Sequence, residues 1–218
     1  FRRVLFRSID RQVVVLERTG VRLCLSQETI STAITYFNKF KEYGPFSSFR
    51  TVESASACLF LATKVHDEIR KIRDILNCWK EADGENVDIE LTKEYYHLKE
   101  RIVECEQVIL RTFVFDVDTT HPFVYFLNCC KFLGVSPEVV QCGWSILVDA
   151  YLFHIREEYD NAVLAAAAIY LSLQMNHVVV DAKEWWLLFD VKKEELAQCC
   201  SDCLSMYKLI VSFWHFPF

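Results

Sequence analysis

Glycine and proline are scarce. Five Gly and four Pro are spread over 218 residues. Turn-rich β-sandwiches and barrels need more of both, so the chain reads as all-α. Long apolar runs are missing too. The most hydrophobic stretch, AVLAAAAIYLSL at 162–173, falls well short of the roughly 20 residues that cross a bilayer. It reads as a buried core helix, and no membrane association is expected. No apolar segment with a small-residue cleavage site resembles a secretion signal. Positive charge is not in excess: 24 Lys and Arg stand against 30 Asp and Glu, a net charge of −6. Affinity for a phosphate backbone comes from Lys and Arg, so nucleic acid is not an expected partner. There is no GxGxxG, no phosphate-binding loop and no GxSxG, and Gly20, Gly44, Gly84, Gly134 and Gly143 are scattered. No catalytic residues, no cofactor and no small-molecule ligand are therefore expected.

The composition is 52% hydrophobic and 14% aromatic, enough for a large core. Ten cysteines lie inside apolar helical patterns, as at Cys58, Cys129, Cys130, Cys199 and Cys203. They lack the turn-rich setting of a small secreted scaffold, and a chain of this size needs no staples. Reduced thiols in a nuclear or cytosolic protein fit better. Cys199, Cys200 and Cys203 share one helical pattern without a second Cys/His pair, whereas a structural zinc site wants four ligands, usually paired near turns. Buried free cysteine is the expectation there, with no metal. His154 and His177 have no evident partners, and of Trp185 and Trp186 one is expected in the core and one half-exposed.

Helix signals recur along the chain. Residues 10–19 form a short helix. Ser26 can cap a second, with apolar residues at Ile30, Ala33, Ile34, Phe37 and Phe40, ended by Gly44 and Pro45. Residues 50–66 are apolar nearly all round and belong in the middle of a bundle. A short helix over 71–77, a polar loop over 80–89 and a helix over 92–113 follow. The pattern then restarts. Thr120 can cap a helix with Pro122 near its first position and Gly134 at its end. Ser136 and Pro137 open the next, and Asp160 or Asn161 opens the apolar helix 162–175. FHIREEYD (153–160) reads as a charged loop. A short helix over 182–189 precedes 192–210, whose core positions are Leu196, Cys199, Cys203, Met206 and Ile210. Ala57, Leu59, Phe60 and Leu61 align with Ala167, Ile169, Tyr170 and Leu171 at an offset of 110, which points to duplicated five-helix units. The expected division is 9–118 and 119–218. The opening FRRVLFRS (1–8) matches nothing downstream. It reads as non-native or disordered rather than as a basic nuclear-targeting segment, and if so part of the first helix is lost.

This organisation resembles the cyclin family. ACLFLATKVHDE (57–68) followed by IRDIL is similar to the core of a cyclin box, and CEQVILRTFVFDV (105–117) to its fifth helix and the turn after it. His121-Pro122 before FVYFL, and the long polar loop at 80–89, resemble the transcription-type branch. The resemblance covers roughly residues 10–210. It implies two tandem five-helix cyclin-box repeats, no active site, and a heterodimer with a cyclin-dependent kinase, whose mobile helix the cyclin holds inward. Localisation implied by the family is nuclear, cytoplasmic or both. The Met-Arg-Ala-Ile-Leu-type motif that forms part of a substrate-recruiting groove in cell-cycle cyclins is absent from DRQVVVLERTGVRL, so no such groove is expected.

The resemblance also assigns the kinase-binding residues. Lys64, at the end of the third helix, corresponds to a family lysine that donates to kinase carbonyls or an acidic group. Glu106, ten residues before Asp116, corresponds to a glutamate that accepts from the kinase. Val65, Leu110 and Phe115 supply the apolar contact, and Asp67 falls on an acidic position that often joins it. On the residues alone there are plainer readings. Lys64 can favour the helix dipole or snorkel to water, Glu106 can sit on a solvated face beside Lys99, Glu100 and Glu104, and Leu110 and Phe115 can be core. A rival use of the same fold is the IIB-type general transcription factor, which contacts a promoter complex and DNA. That reading needs a basic face, and IREEYD and KKEEL are not basic overall.

Overall fold

The computed structural model describes the backbone of residues 10–84, 90–180 and 184–214, and side chains up to Lys208. The described residues are helical, without strands. The chain divides into two compact units, the first over Ile9–Thr119 and the second from Thr120 onward.

The first unit holds α1 (Arg11–Arg22), α2 (Gln27–Tyr43), α3 (Thr51–Val65), α4 (Ile72–Asp83) and α5 (Lys93–Thr112). Helix α3 is its centre, packing on α1, α2, α4 and α5. Ten of its residues, including Ala55, Ala57, Cys58 and Leu59, are buried. Small side chains let neighbouring helices approach closely, and large ones from α2 (Tyr36, Phe37, Phe40) fill the space between them. Ser26 caps α2 by accepting from the Thr29 amide. Helix α4 runs beyond the expected 71–77. Its buried residues Ile72, Ile75, Leu76, Trp79 and Ala82 keep one helical face to Gly84, which stops it with φ +95°. Residues 80–83 are thus helix rather than loop, and 85–89 lie outside the described residues. The polar composition of this turn hid the face that Trp79 and Ala82 continue.

The second unit holds α6 (Pro122–Leu133), α7 (Pro137–Leu152), α8 (Asn161–Met175) and α9 (Lys193–Trp214). Helix α8 is its centre, against α6, α7 and α9. The expected helix over 182–189 is a 3-10 helix, Trp185–Phe189, with Trp185 buried. FHIREEYD is a loop only in part: Ile155–Glu157 is a 3-10 turn that buries Ile155. Thr120 is not the cap of α6. His121 holds that position, and Thr120 instead accepts from Arg156 (2.9 Å, backbone oxygen) and Asn161 (2.9 Å, hydroxyl). Helix α9 extends past 210, and the side chain of Ile210 lies outside the described residues. The two central helices repeat the same burial at an offset of 110: Ala57, Leu59 and Leu61 are buried with Phe60 half-buried, and Ala167, Ile169 and Leu171 are buried with Tyr170 half-buried.

All ten cysteines are free thiols. Burial pushes the Cys200 thiol up to about 12 and Cys105 to about 12, so neither is a thiolate at neutral pH. Among the described residues no three His, Cys, Asp or Glu side chains are placed to share a metal ion, and no helix is long and apolar enough to cross a membrane.

Candidate functional site

Helix α3 ends on a charge for a structural reason. Lys64 lies one turn after Phe60, and its ammonium sits 4.0 Å from the centre of that ring. The same ammonium donates to both carboxylate oxygens of Glu106 on α5, at 2.7 and 2.9 Å. The partners are unequal. The Lys64 side chain is 42% exposed and that of Glu106 only 8%. Glu106 is therefore not on a solvated face, because the packing of α3 on α5 covers it. Lys64 reaches water as well as its partner, and its dipole contribution is secondary to a charge-assisted contact with a buried carboxylate.

The turn after α3 is fixed around this pair. Asp67 adopts φ +55°, a conformation that aspartate tolerates better than most residues. The Glu68 amide donates back to the Thr63 carbonyl at 2.8 Å, the 6→1 bond of a Schellman ending. Glu68 accepts from the Ser26 amide at 2.9 Å, tying the end of α3 to the start of α2. Burial pushes the Glu68 carboxyl up, but hydrogen bonds from Ser26 and Thr29 together with the Arg70 charge outweigh it and leave it below the ordinary range. His66 is 2.8 Å from the Thr32 hydroxyl. The acidic pair that follows Lys64 thus divides: Glu68 is used inside the fold, while Asp67 is exposed, as is Val65 two residues before it.

The end of α5 is built similarly. Phe113 is buried against Tyr36, with ring centres 5.5 Å apart. The Tyr36 hydroxyl donates to the Val117 carbonyl at 2.5 Å. Between these two anchors Val114 and Phe115 turn outward, with φ of +54° and +60°. The Phe115 amide donates to the Leu110 carbonyl at 2.8 Å. Phe115 is 67% exposed, so it is not core, and Leu110 is half-buried. Of the six residues singled out in the sequence, Lys64 and Glu106 meet directly and Leu110 and Phe115 share a backbone bond. Val65 and Asp67 belong to the end of α3. Phe60 also belongs to this arrangement, and its position four residues before Lys64, a spacing that stacks side chains, is the signal for it in the sequence.

The sequence of residues 10–118 matches the family described as "Cyclin, N-terminal domain". The chain belongs to the cyclin family. It is 36% identical over 200 residues to cyclin pch1 of Schizosaccharomyces pombe, covering 88% of this chain and 58% of that protein. It is 28% identical over 201 residues to cyclin-K of Danio rerio, covering 86% of this chain and 47% of that one. This cyclin thus spans about half the length of those curated relatives. A similar fold is found in the crystal structure of the yeast RNA Pol II CTD kinase CTDK-1 complex, with a TM-score of 0.75, 19% identity, and coverage of 90% of this chain and 65% of that one. A viral cyclin from herpesvirus saimiri is also similar, with a TM-score of 0.59, 11% identity, and coverage of 92% and 89%. In this cyclin the Lys64–Glu106 pair and the exposed Val65 and Phe115 lie within the matched residues 10–118.

Proposed function

We propose that this cyclin is a regulatory subunit that binds a cyclin-dependent kinase through the joined ends of α3 and α5 and stabilises the active conformation of that kinase. Lys64, Val65, Asp67, Glu106, Leu110 and Phe115 are the contact residues. Regions 9–118 and 119–218 are the two cyclin boxes, and catalysis belongs to the partner. The observation that carries this reading is the bidentate Lys64–Glu106 pair in company with two outward apolar side chains, Val65 and Phe115. A charged group whose internal partner is already in place presents donors and an acceptor in fixed positions, so little ordering is left for binding to impose. Energetically the cyclin is a ligand with higher affinity for the active kinase than for the inactive one. Within the family, the reading extends to the transcription-type branch, and most specifically to cyclin Q. IRDILN, HPFVYFL, LAAAAIYLSLQM and WWLLF carry that resemblance, and cyclin-dependent kinase 10 is the partner it implies. Nuclear or cytoplasmic residence goes with the same reading. The test is phosphoryl transfer by a panel of purified cyclin-dependent kinases, each with and without the full chain. Activation of one or a few kinases supports the reading. Unchanged activity across the panel, with the chain folded, overturns it.

A further inference from the structure

Among the described residues, the helices α2, α5 and α7 open on a serine or threonine, and they use it differently. Ser26 accepts from the Thr29 amide at the start of α2, and Thr92 accepts from the Tyr95 amide at the start of α5. These hydroxyls satisfy amides that a first helical turn leaves without partners. Ser136 opens α7 and makes no such bond. Its hydroxyl donates instead to the carboxylate of Glu138, and that bond, with one from the glutamate's own amide, holds the Glu138 carboxyl below the ordinary range. Ser136 is exposed, as are Gly134, Pro137 and Glu138 around it. Its backbone is extended, with φ −69° and ψ 157°. The oxygen that the other two caps commit to the fold is here presented to solvent on an extended segment.

The next residue narrows what can act on it. Ser136-Pro137 is the only Ser or Thr before a proline in the 218 residues. Proline has no N–H, so a binding site that places an acceptor there leaves that acceptor buried and unpaired, and a site with an apolar seat for the ring fits better. We propose that Ser136 is a phosphorylation site, modified by a kinase that selects serine followed by proline. The Ser136 oxygen bonds to the γ-phosphorus of Mg·ATP as the bond from that phosphorus to the β,γ-bridging oxygen breaks. ADP leaves, and the hydroxyl proton passes through the kinase's carboxylate base to water. The phosphate then stands at the N-terminus of α7, where the amides of the first turn and the macrodipole favour an anion. It takes the place of the Glu138 carboxylate there and repels it. Because α7 buries Val139, Ile146, Leu147 and Tyr151, the modification tightens the second unit. Ser136 belongs to that unit and the ends of α3 and α5 to the first, so this site and the proposed kinase contact can fail separately.

The parent chain, Ser136→Ala and Pro137→Ala are incubated in the folded state with a purified proline-directed kinase and Mg·ATP, and phosphopeptides are located by mass spectrometry. Neither substitution removes a cap bond, and circular dichroism confirms that both variants are folded. The expected result is phosphate on Ser136 of the parent, none in Ser136→Ala, and a rate roughly tenfold lower in Pro137→Ala, the scale of one unpaired buried amide. The thermal midpoint of the phosphorylated parent is expected to rise by about 1–4 °C. Incorporation only after denaturation, or at the parent's rate in either variant, would overturn the site. A midpoint unchanged or lowered by the phosphate would overturn the tightening of α7.

Discussion

The unequal burial of Lys64 and Glu106 makes their removal unequal. Lys64→Met keeps the apolar stem and its contact with Phe60 but strips the carboxylate of its partner. The Glu106 side chain is 8% exposed, so water restores little of what is lost. Breaking a fully buried pair costs about 3–5 kcal/mol. Here Lys64 is half in water, which discounts the loss to about 2 kcal/mol. For a chain of this length that is a fall in thermal midpoint of about 4–8 °C. Glu106→Gln is milder. The amide oxygen still accepts from Lys64, and the lysine is free to turn to solvent, so the cost is that of an exposed pair, about 0.5 kcal/mol. Urea unfolding followed by circular dichroism measures both. Equal losses, or a Lys64→Met variant within a few tenths of a kcal/mol of the parent, would refute the reasoning, because the carboxylate would then be hydrated and the pair an ordinary surface contact.

Two further outcomes follow from the second unit. Asp149 accepts from the Tyr207 hydroxyl at 2.9 Å, and burial raises its carboxyl above the ordinary range despite that bond. A raised acid favours the folded state below its unfolded value, and that contribution is lost as pH rises through the folded value. Asp149→Asn is therefore expected to be more stable than the parent at pH 7, with the gap closing in acid as Asp149 protonates, as read by thermal midpoints across pH; a gap independent of pH would contradict this. Gly143 on α7 faces the Phe126 ring of α6, where an added Cβ would come within 2.6 Å of it. Phe126 is fully buried, so Gly143→Ala is expected to destabilise by about 1–3 kcal/mol in urea unfolding despite its better helix propensity. A stabilised variant would mean that the α6–α7 contact yields.

The helices were legible because their apolar spacing and punctuation agree: Ser26 before α2, Pro122 and Pro137 opening α6 and α7, Gly134 closing α6. The central helices announced themselves by being apolar on every side, as a helix surrounded by others must be. Boundaries failed where composition and face diverge. Lys80, Glu81 and Asp83 read as loop, yet Trp79 and Ala82 still point inward. The candidate site is read as a set of residues from family resemblance and not from spacing. Lys64 and Glu106 are 42 residues apart, and only the packing of α3 on α5 decides that they meet. Periodicity also left Phe115 open between core and surface. Its exposure is settled by a turn whose two anchors, Phe113 and Val117, are held by Tyr36 on another helix.

The most direct test of kinase binding is an exchange of the two charges. Because Lys64 and Glu106 pair with each other, Lys64→Glu combined with Glu106→Lys keeps opposite charges side by side but reverses what they offer to a partner. Circular dichroism first confirms the fold. Binding of the parent chain and of the exchanged variant to immobilised cyclin-dependent kinases is then measured side by side. The account predicts capture of a kinase by the parent and its loss in the folded variant. Equal capture by both would contradict it, because the pair would then hold α3 to α5 and contribute nothing to the partner.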